Sequence, residues 1–273
     1  MRNSTRTSLA NALRGAIQRG EYPPNEWLPN EGRLAEEFQV SRGTVRAALK
    51  ILENEGRIGM RQGRGVYVRD FRPIVHLAAQ VPGGTDAERF TDGYAPQLRE
   101  AGYDRISESI EVQLETMRPK VAKRFGLPAE AEHNGSPQDR LVVLRQCDRF
   151  VDGRLWERQI THYPYSIAAE TELMSPEHIT DGIDQVLGRL GYTEDWSWDI
   201  VGARMPSPRE VESFGVGHGI PLLVQERVAY AGDRVTRFTE TTMPADRHQL
   251  LYAGGDAPAE LLLLASDVSI FER

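Results

Sequence analysis

Asn30-Glu-Gly-Arg-Leu-Ala-Glu-Glu-Phe-Gln-Val-Ser-Arg-Gly-Thr-Val-Arg-Ala-Ala-Leu-Lys-Ile-Leu-Glu-Asn-Glu-Gly-Arg57 decides the reading of this chain. Asn30 is a good N-cap, and Glu31 stands where a negative charge favours the positive end of a helix dipole. Leu34, Ala35 and Phe38 give the following helix an apolar face. Gln39 and Val40 make a turn, and Ser41 caps a second helix. Along that helix Val45, Ala48, Leu49 and Leu52 form a buried stripe, which leaves Arg42, Thr44, Arg46 and Lys50 on other faces. Two helices joined by a tight turn, the second with arginines in its first two turns, form a helix-turn-helix. The residues at the start of such a second helix reach base edges, and here they are Ser41, Arg42, Gly43, Thr44 and Arg46.

Outward from this stretch, Arg57-Ile-Gly-Met60 and Val66-Tyr-Val68 read as short β segments around the tip Arg61-Gln-Gly-Arg-Gly65. A Gly/Arg-rich hairpin of this kind, with Arg64 at its tip, is the form of a basic wing over phosphates or in a minor groove. Upstream, a helix is expected from about Ser8 to Arg19, with Leu9, Leu13 and Ile17 on one face and Gly20 at its end. Tyr22-Pro-Pro24 to Leu28-Pro29 reads as an irregular connection. Any one of these helices alone could be an amphipathic helix with solvated charges. Cap, turn, recognition helix and basic hairpin together point to a winged helix-turn-helix that binds DNA.

Charge supports that placement. The chain of 273 residues has formal net charge −7. Residues 1–70 carry twelve Arg and Lys against eight acids, net +4, and the remainder is net −11. A basic module on an acidic body lets electrostatics select which end meets phosphate. Only three of the 33 basic residues are Lys, so the arginine richness is a property of the whole chain.

Other chemistries are disfavoured. The single cysteine, Cys147, excludes an intrachain disulfide and a cysteine-cluster metal site. The six histidines (76, 133, 162, 178, 218, 248) include no pair at helical metal-ligand spacing, so neither metal nor cofactor is expected. The run Leu261–Leu264 is far too short to span a bilayer, and the polar start Met1–Ser8 is unlike a signal peptide. A cytoplasmic protein without a membrane partner is expected.

Beyond the wing, Phe71 to about Ala87 contains Pro73, Pro82, Gly83 and Gly84 and reads as a linker, with a helix expected over Thr91–Ala101. The rest holds an internal repeat. Pro119-Lys-Val-Ala-Lys-Arg-Phe-Gly-Leu127 matches Pro208-Arg-Glu-Val-Glu-Ser-Phe-Gly-Val216. Each copy is followed by an apolar strand (Leu141–Arg145 and Leu222–Glu226), a tight turn (Asp152-Gly153 and Gly232-Asp233) and a return to a proline (Pro164 and Pro244). The first copy carries about nine extra residues around Glu130–Gln138. Between the copies a helix is expected over Thr180–Leu190, capped by Thr180 and ended by Gly191. Two helix-plus-hairpin units imply an α+β domain around one antiparallel sheet, an arrangement suited to enclosing a cleft.

Residues 9–69 resemble the N-terminal domain of GntR-family bacterial transcription regulators. The resemblance rests on Gly20-Glu-Tyr, Leu28-Pro-Asn-Glu, Leu34-Ala-Glu-Glu-Phe38, Val40-Ser-Arg-Gly-Thr-Val-Arg-Ala-Ala-Leu49, Leu52-Glu-Asn-Glu-Gly56 and Arg61-Gln-Gly-Arg-Gly65. Residues 89–253 are similar to the UTRA effector-binding domain of the HutC subfamily, a chorismate lyase-like fold, through the repeat, the Asp152-Gly153 hairpin and Met243-Pro-Ala-Asp-Arg247. The resemblance implies a DNA-binding domain over 1–70, a linker over 71–88, an effector-binding and dimerisation domain over 89–253 and a C-terminal extension over 254–273. It further implies a homodimeric repressor on a pseudo-palindromic operator of double-stranded DNA, released by a small-molecule effector. The implied recognition-helix contacts fall on Ser41, Arg42, Thr44 and Arg46, and the wing contacts on Gln62, Gly63 and Gly65. One departure stands out. The family's arginine two residues after the cap of the first reading helix is Gly32 here. Arg33, turned by about 100°, is the neighbour that could stand in for it. Gly43 likewise removes a side chain that is common in the family.

In the second domain the resemblance places effector-site positions on Thr91, Cys147, Arg149, Gln159, Thr180, Arg237 and Met243. Sugar-phosphate-sensing relatives have Arg at the Cys147 place and Glu at the Gln159 and Arg237 places, which argues against an amino-sugar phosphate here. Arg145 and Arg149 lie on one face of a strand, four residues apart. Two readings stand for these arginines: they hold an anionic effector, or they form internal ion pairs with the acidic body. An enzyme is the rival from another class, given the chorismate lyase-like fold. However, the sequence shows no nucleophile–base pair, and Gly63-Arg64-Gly65 lacks the context of a dinucleotide-binding loop. An architectural DNA protein without a ligand is the second rival, disfavoured by the large acidic domain.

Overall fold

The computed structural model describes residues 2–61, 63–69, 74–77, 98–99, 103, 105–127 and 136–252. It divides into two units, Met1–Pro73 with Met205–Pro221, and Ile74–Arg204 with Leu222–Arg273. The expected helix over Thr91–Ala101 and the extension 254–273 fall largely or wholly outside the described residues.

In the first unit, helix α1 spans Arg2–Gln18, starting six residues earlier than the sequence pattern indicated. Helix α2 spans Glu31–Glu37 and helix α3 spans Arg42–Asn54. Both reading helices start as the sequence predicts. The Asn30 side chain accepts from the Arg33 N–H at 3.0 Å, and the Ser41 hydroxyl accepts from the Thr44 N–H at 3.1 Å. Such caps each contribute about 1 kcal/mol by satisfying donors that have no intrahelical partner. The stripe Val45, Ala48, Leu49 and Leu52 is buried against Leu9, Ala10, Leu13, Leu34, Ile58 and Val68 in one apolar core.

Strands β1 (Ile58–Arg61) and β2 (Gly65–Val68) form the wing hairpin, pairing Gly59 with Tyr67. The connection expected to be irregular extends it. The Asn25 N–H donates to the Val68 carbonyl (2.9 Å), the Val68 N–H to the Glu26 carbonyl (2.9 Å), and the Leu28 N–H to the Val66 carbonyl (2.8 Å). Residues 25–28 therefore line the free edge of β2, with Trp27 opposite Tyr67. The segment Met205–Pro221 groups with this unit. Its Gly217 leaves so little room that a Cβ would stand 2.2 Å from the Glu53 carbonyl oxygen at the end of α3.

The second unit is built on a six-stranded antiparallel sheet of order β4-β5-β6-β9-β8-β7. Its strands are β4 (Ile106–Thr116), β5 (Leu141–Val151), β6 (Arg154–Pro164), β7 (Trp196–Arg204), β8 (Leu222–Ala231) and β9 (Arg234–Pro244). The repeat is exact in register. Val142 pairs with Pro164, and eighty residues on Leu222 pairs with Pro244. Both hairpins carry a bulge, at Arg149/Phe150 and at Ala229/Tyr230, again eighty residues apart. The two hairpins meet at the β6–β9 pair in the middle of the sheet. Ile74–Leu77, inside the expected linker, is instead strand β3, parallel to β10 (His248–Leu251).

Because side chains alternate along a strand, Val142 and Val143 join different cores. Val142 packs with Met117, Val121, Ala122, Val228 and Phe238, beneath helix α4 (Pro119–Arg124). Val143 packs with Tyr163, Leu173 and residues of helices α5 (Tyr165–Ala168) and α6 (Ile183–Arg189). Helix α4 is also fixed by charge, since Lys120 reaches Glu226 and Glu240, each at 2.5 Å. Helix α7 (Pro208–Phe214), the repeat's second short helix, lies in the first unit.

The wing makes a direct stability test. A Cβ on Gly59 would lie 2.5 Å from the Tyr67 ring, which folds over it and is itself buried. Gly59→Ala should displace the ring and cost roughly 1–3 kcal/mol, as overpacking does. The thermal midpoint should fall accordingly, whereas Gly63→Ala changes backbone strain only. An unchanged midpoint for Gly59→Ala would show that the ring has room to move.

Candidate nucleic-acid interface and effector face

The start of α3 is presented to solvent. Ser41, Arg42, Gly43, Arg46 and Lys50 are exposed, while the stripe on the opposite face is fully buried. Thr44, half-buried, shares a 2.9 Å hydrogen bond between its hydroxyl and that of Ser41. The α2 and α3 helices meet at their N-terminal turns through charge. Arg46 Nε donates to Glu31 at 2.7 Å, with the Arg46 side chain 70% exposed. A Cβ on Gly32 would be 3.2 Å from Arg42 Nη2, so the Arg42 guanidinium lies across the first turn of α2. Arg33 is exposed on the adjacent position.

The wing tip turns through Gly63 and Gly65, whose φ values of +76° and +114° favour residues without a Cβ. Arg64 is exposed at that tip, and its N–H donates to the Arg61 carbonyl at 3.0 Å. Gln62 lies outside the described residues. Sequence reasoning missed the aromatic support beneath the tip. Trp27 is 44% exposed and meets Tyr67 edge-on with ring centroids 5.6 Å apart. The Arg61 guanidinium sits 5.6 Å from the Tyr67 ring centroid. Only the pairing of residues 25–28 with β2 brings Trp27 there, and no local pattern signals it.

In the second unit one sheet face collects most of the sequence-predicted effector residues. The register sets Cys147 beside Gln159 and Gln159 beside Thr241; one row over, Arg145 lies beside Thr161 and Thr161 beside Thr239. Arg149 lies beside Glu157. Each arginine is engaged. The Arg145 guanidinium donates to the carbonyls of Ser175 and Glu177, tying the 175–177 loop to the sheet. Arg149 pairs with Glu157, whose side chain is 5% exposed, and reaches Gln159 Oε1 at 3.4 Å. Arg237 binds Asp184 at 2.7 Å and Glu194 at 2.6 Å. Burial of Arg237 works against its charge, but Glu194 and Asp184 outweigh that and hold its pKa above the ordinary arginine value.

Three placements differ from expectation or escape description. Thr180 does not cap a helix: α6 begins at Ile183 behind Gly182, whose φ of +85° breaks the chain direction, and Thr180 sits in an exposed turn. Thr91 lies outside the described residues. Met243 is on the expected face but is 1% exposed, a core residue at the β9 end. The Cys147 thiol is buried, which pushes its pKa up to about 12 despite Arg149 nearby, and it donates to Glu108 at 3.4 Å. A thiol so held is protonated at neutral pH and is a poor nucleophile. Among the described residues, no group of three or more His, Cys, Asp or Glu is placed to hold a metal ion, and no helix is long and apolar enough to cross a membrane.

Comparison with known proteins accounts for both units. Residues 5–68 match the model for bacterial regulatory proteins of the gntR family, and residues 100–249 match the UTRA domain. The HTH-type transcriptional repressor NagR of Bacillus subtilis is 35% identical over 224 residues, covering 80% of this chain and 81% of that protein. The HTH-type transcriptional regulator Mce2R of Mycobacterium tuberculosis is 45% identical over 173 residues, 63% of this chain and 61% of that protein. A crystal structure of a putative GntR-family transcriptional regulator has the same fold, with TM-score 0.55 at 22% identity over 92% of this chain and 97% of that one. The capped, arginine-bearing helix-turn-helix and the repeated sheet domain are thus parts of one known arrangement, and the chain belongs to the GntR family of transcriptional regulators with a UTRA domain.

Proposed function

We propose that this regulator is a cytoplasmic homodimeric repressor that holds a pseudo-palindromic operator through α3 and the wing, and leaves it when a small molecule binds the second unit. The observation that carries the reading is the α3 helix itself. Its apolar stripe is consumed by the core, which leaves Arg42 and Arg46 exposed in its first two turns beside the cap Ser41. The repressor named NagR, at 35% identity, supports the direction of control. In this reading Ser41, Arg42, Gly43, Thr44 and Arg46 face base edges. Gln62, Gly63, Arg64 and Gly65 face the backbone or minor groove, and Arg33 lies at the margin.

For the effector we infer a small anionic molecule at the Arg149 end of the sheet face. Arg145 and Arg237 spend their donors on backbone carbonyls and on two carboxylates, so they shape the site by fixing the 175–177 loop and α6. Arg149, itself paired with Glu157, is the cation of the predicted set that has Gln159 and Cys147 beside it. A ligand shifts the DNA-binding equilibrium only through different affinities for two conformations, and exchange of the Arg149–Glu157 pair for a ligand carboxylate or phosphate supplies such a difference. Thr180 and Thr91 remain proposed contacts from the resemblance alone.

Three outcomes are expected. Sedimentation of the full chain at micromolar concentration should show a dimer, and binding should require two half-sites about one helical turn apart. A monomer on a single half-site would refute the dimeric reading. Arg64→Ala should weaken operator and random DNA alike and reduce the slope of log affinity against log salt by about one. Loss confined to the operator would instead make Arg64 a base reader. Removing Arg149 alone strands a buried Glu157, at a cost of about 3–5 kcal/mol, so the informative variant removes both partners. Arg149→Met with Glu157→Leu should keep the melting temperature and operator affinity while losing release by carboxylated or phosphorylated metabolites that release the wild type. Normal release from that variant would remove Arg149 from the site.

A further inference from the structure

We propose that Gly32 determines the DNA sequence preference of this protein, because its missing side chain lets Arg42 lie across the first turn of α2 and present its guanidinium from there. Gly32 is the second residue of α2, in ordinary helical conformation, so no backbone requirement selects glycine. Glycine in a helix costs about 0.5–1 kcal/mol relative to alanine. Its counterparts are found in space: a Cβ would stand 3.2 Å from Arg42 Nη2, 3.2 Å from the cap oxygen Asn30 Oδ1 and 3.7 Å from Arg42 Cζ. Gly43 is a useful contrast, since a Cβ there would meet only the Ser41 hydroxyl, at an ordinary 3.7 Å. Crowding therefore accompanies Gly32 and not Gly43.

The neighbouring residue sorts the second arginine. Glu31 takes Arg46 at 2.7 Å, so two consecutive residues of α2 hold the two arginines of α3 in different ways. Arg46 is neutralised by a carboxylate. Arg42 lies over a residue with no side chain to bond it, with both edges of its guanidinium geometry suited to a bidentate partner. The partner of matching chemistry is the major-groove edge of guanine, with its N7 and O6 acceptors. Gly32 thus acts through Arg42 as a positioning residue. This inference rests on the reading that the start of α3 faces base edges.

The test uses the full chain and selection of bound DNA from a random pool, with base preference at each position as the readout. Arg42→Ala should flatten preference at one base pair of each half-site, by roughly tenfold. Gly32→Leu, which keeps a good helix former but evicts the guanidinium, should alter preference at that same base pair. Gly32→Ala should do so more weakly, and the Gly32→Leu/Arg42→Ala double variant should match Arg42→Ala alone. Equal melting temperatures confirm that α2 remains folded in each. Preference unchanged by Gly32→Leu, a shift at a different base pair, or effects that simply multiply in the double variant would each overturn the role of Gly32 while leaving base reading by Arg42 standing. No loss of preference in Arg42→Ala would overturn both.

Discussion

The first unit depends on one constraint: α3 must serve as core and as reading head at once. A helix of 3.6 residues per turn can do both only if the apolar residues keep to one stripe. Val45, Ala48, Leu49 and Leu52 do so, and they are the residues that α1, α2 and the wing strands converge upon. Each fully buried Leu contributes about 1.5–3 kcal/mol, far more than any surface ion pair of the unit. The orientation of the reading face is therefore set by the core. The caps at Asn30 and Ser41 then fix where each helix begins, and with that which residues fall in the exposed first turn.

The second unit solves a different problem, that of holding charge inside a sheet face. Repeated hairpins eighty residues apart meet at the β6–β9 pair, and each carries an equivalent bulge near its own turn. A bulge places two residues opposite one, which turns side chains toward a site while raising local twist. Arg149 lies at the first bulge and Ala229 at the second, so the repeat offers two equivalent places and only one carries a guanidinium.

Much of this architecture was legible because its signals are local. N-caps three residues before the N–H groups that donate to them, an apolar stripe at helical spacing, glycines at the wing tip and turn dipeptides in both hairpins all appear within a few residues of their consequence. The readings that failed depended on distant partners. Residues 25–28 look irregular by themselves and become ordered through pairing with β2. Ile74–Leu77 reads as linker until β10, more than 170 residues later, pairs with it. Thr180 resembled a cap because its side chain suits one, but the reversal at Gly182 moves the helix start past it. The site residues were named more readily than their partners were. Arg145 and Arg149 could be placed on one face by strand parity and Arg237 by the resemblance, whereas their acceptors, the 175–177 loop carbonyls, Glu157 and Glu194, required the fold.

The same interaction, arginine with glutamate, has opposite consequences in the two units because burial differs. Arg46–Glu31 is largely exposed, and such pairs are worth about 0–1 kcal/mol and are screened by salt. In the proposed DNA contact Arg46 can therefore leave Glu31 at small cost, so the pair holds Arg46 in place without opposing binding. Arg149–Glu157 is nearly dry, so neither charge can be left alone without a penalty of several kcal/mol. In the proposed effector site, a ligand would have to replace that carboxylate with another acceptor of the same charge and geometry. The exposed pair is thus readily exchanged, and the buried pair yields only to a close chemical match.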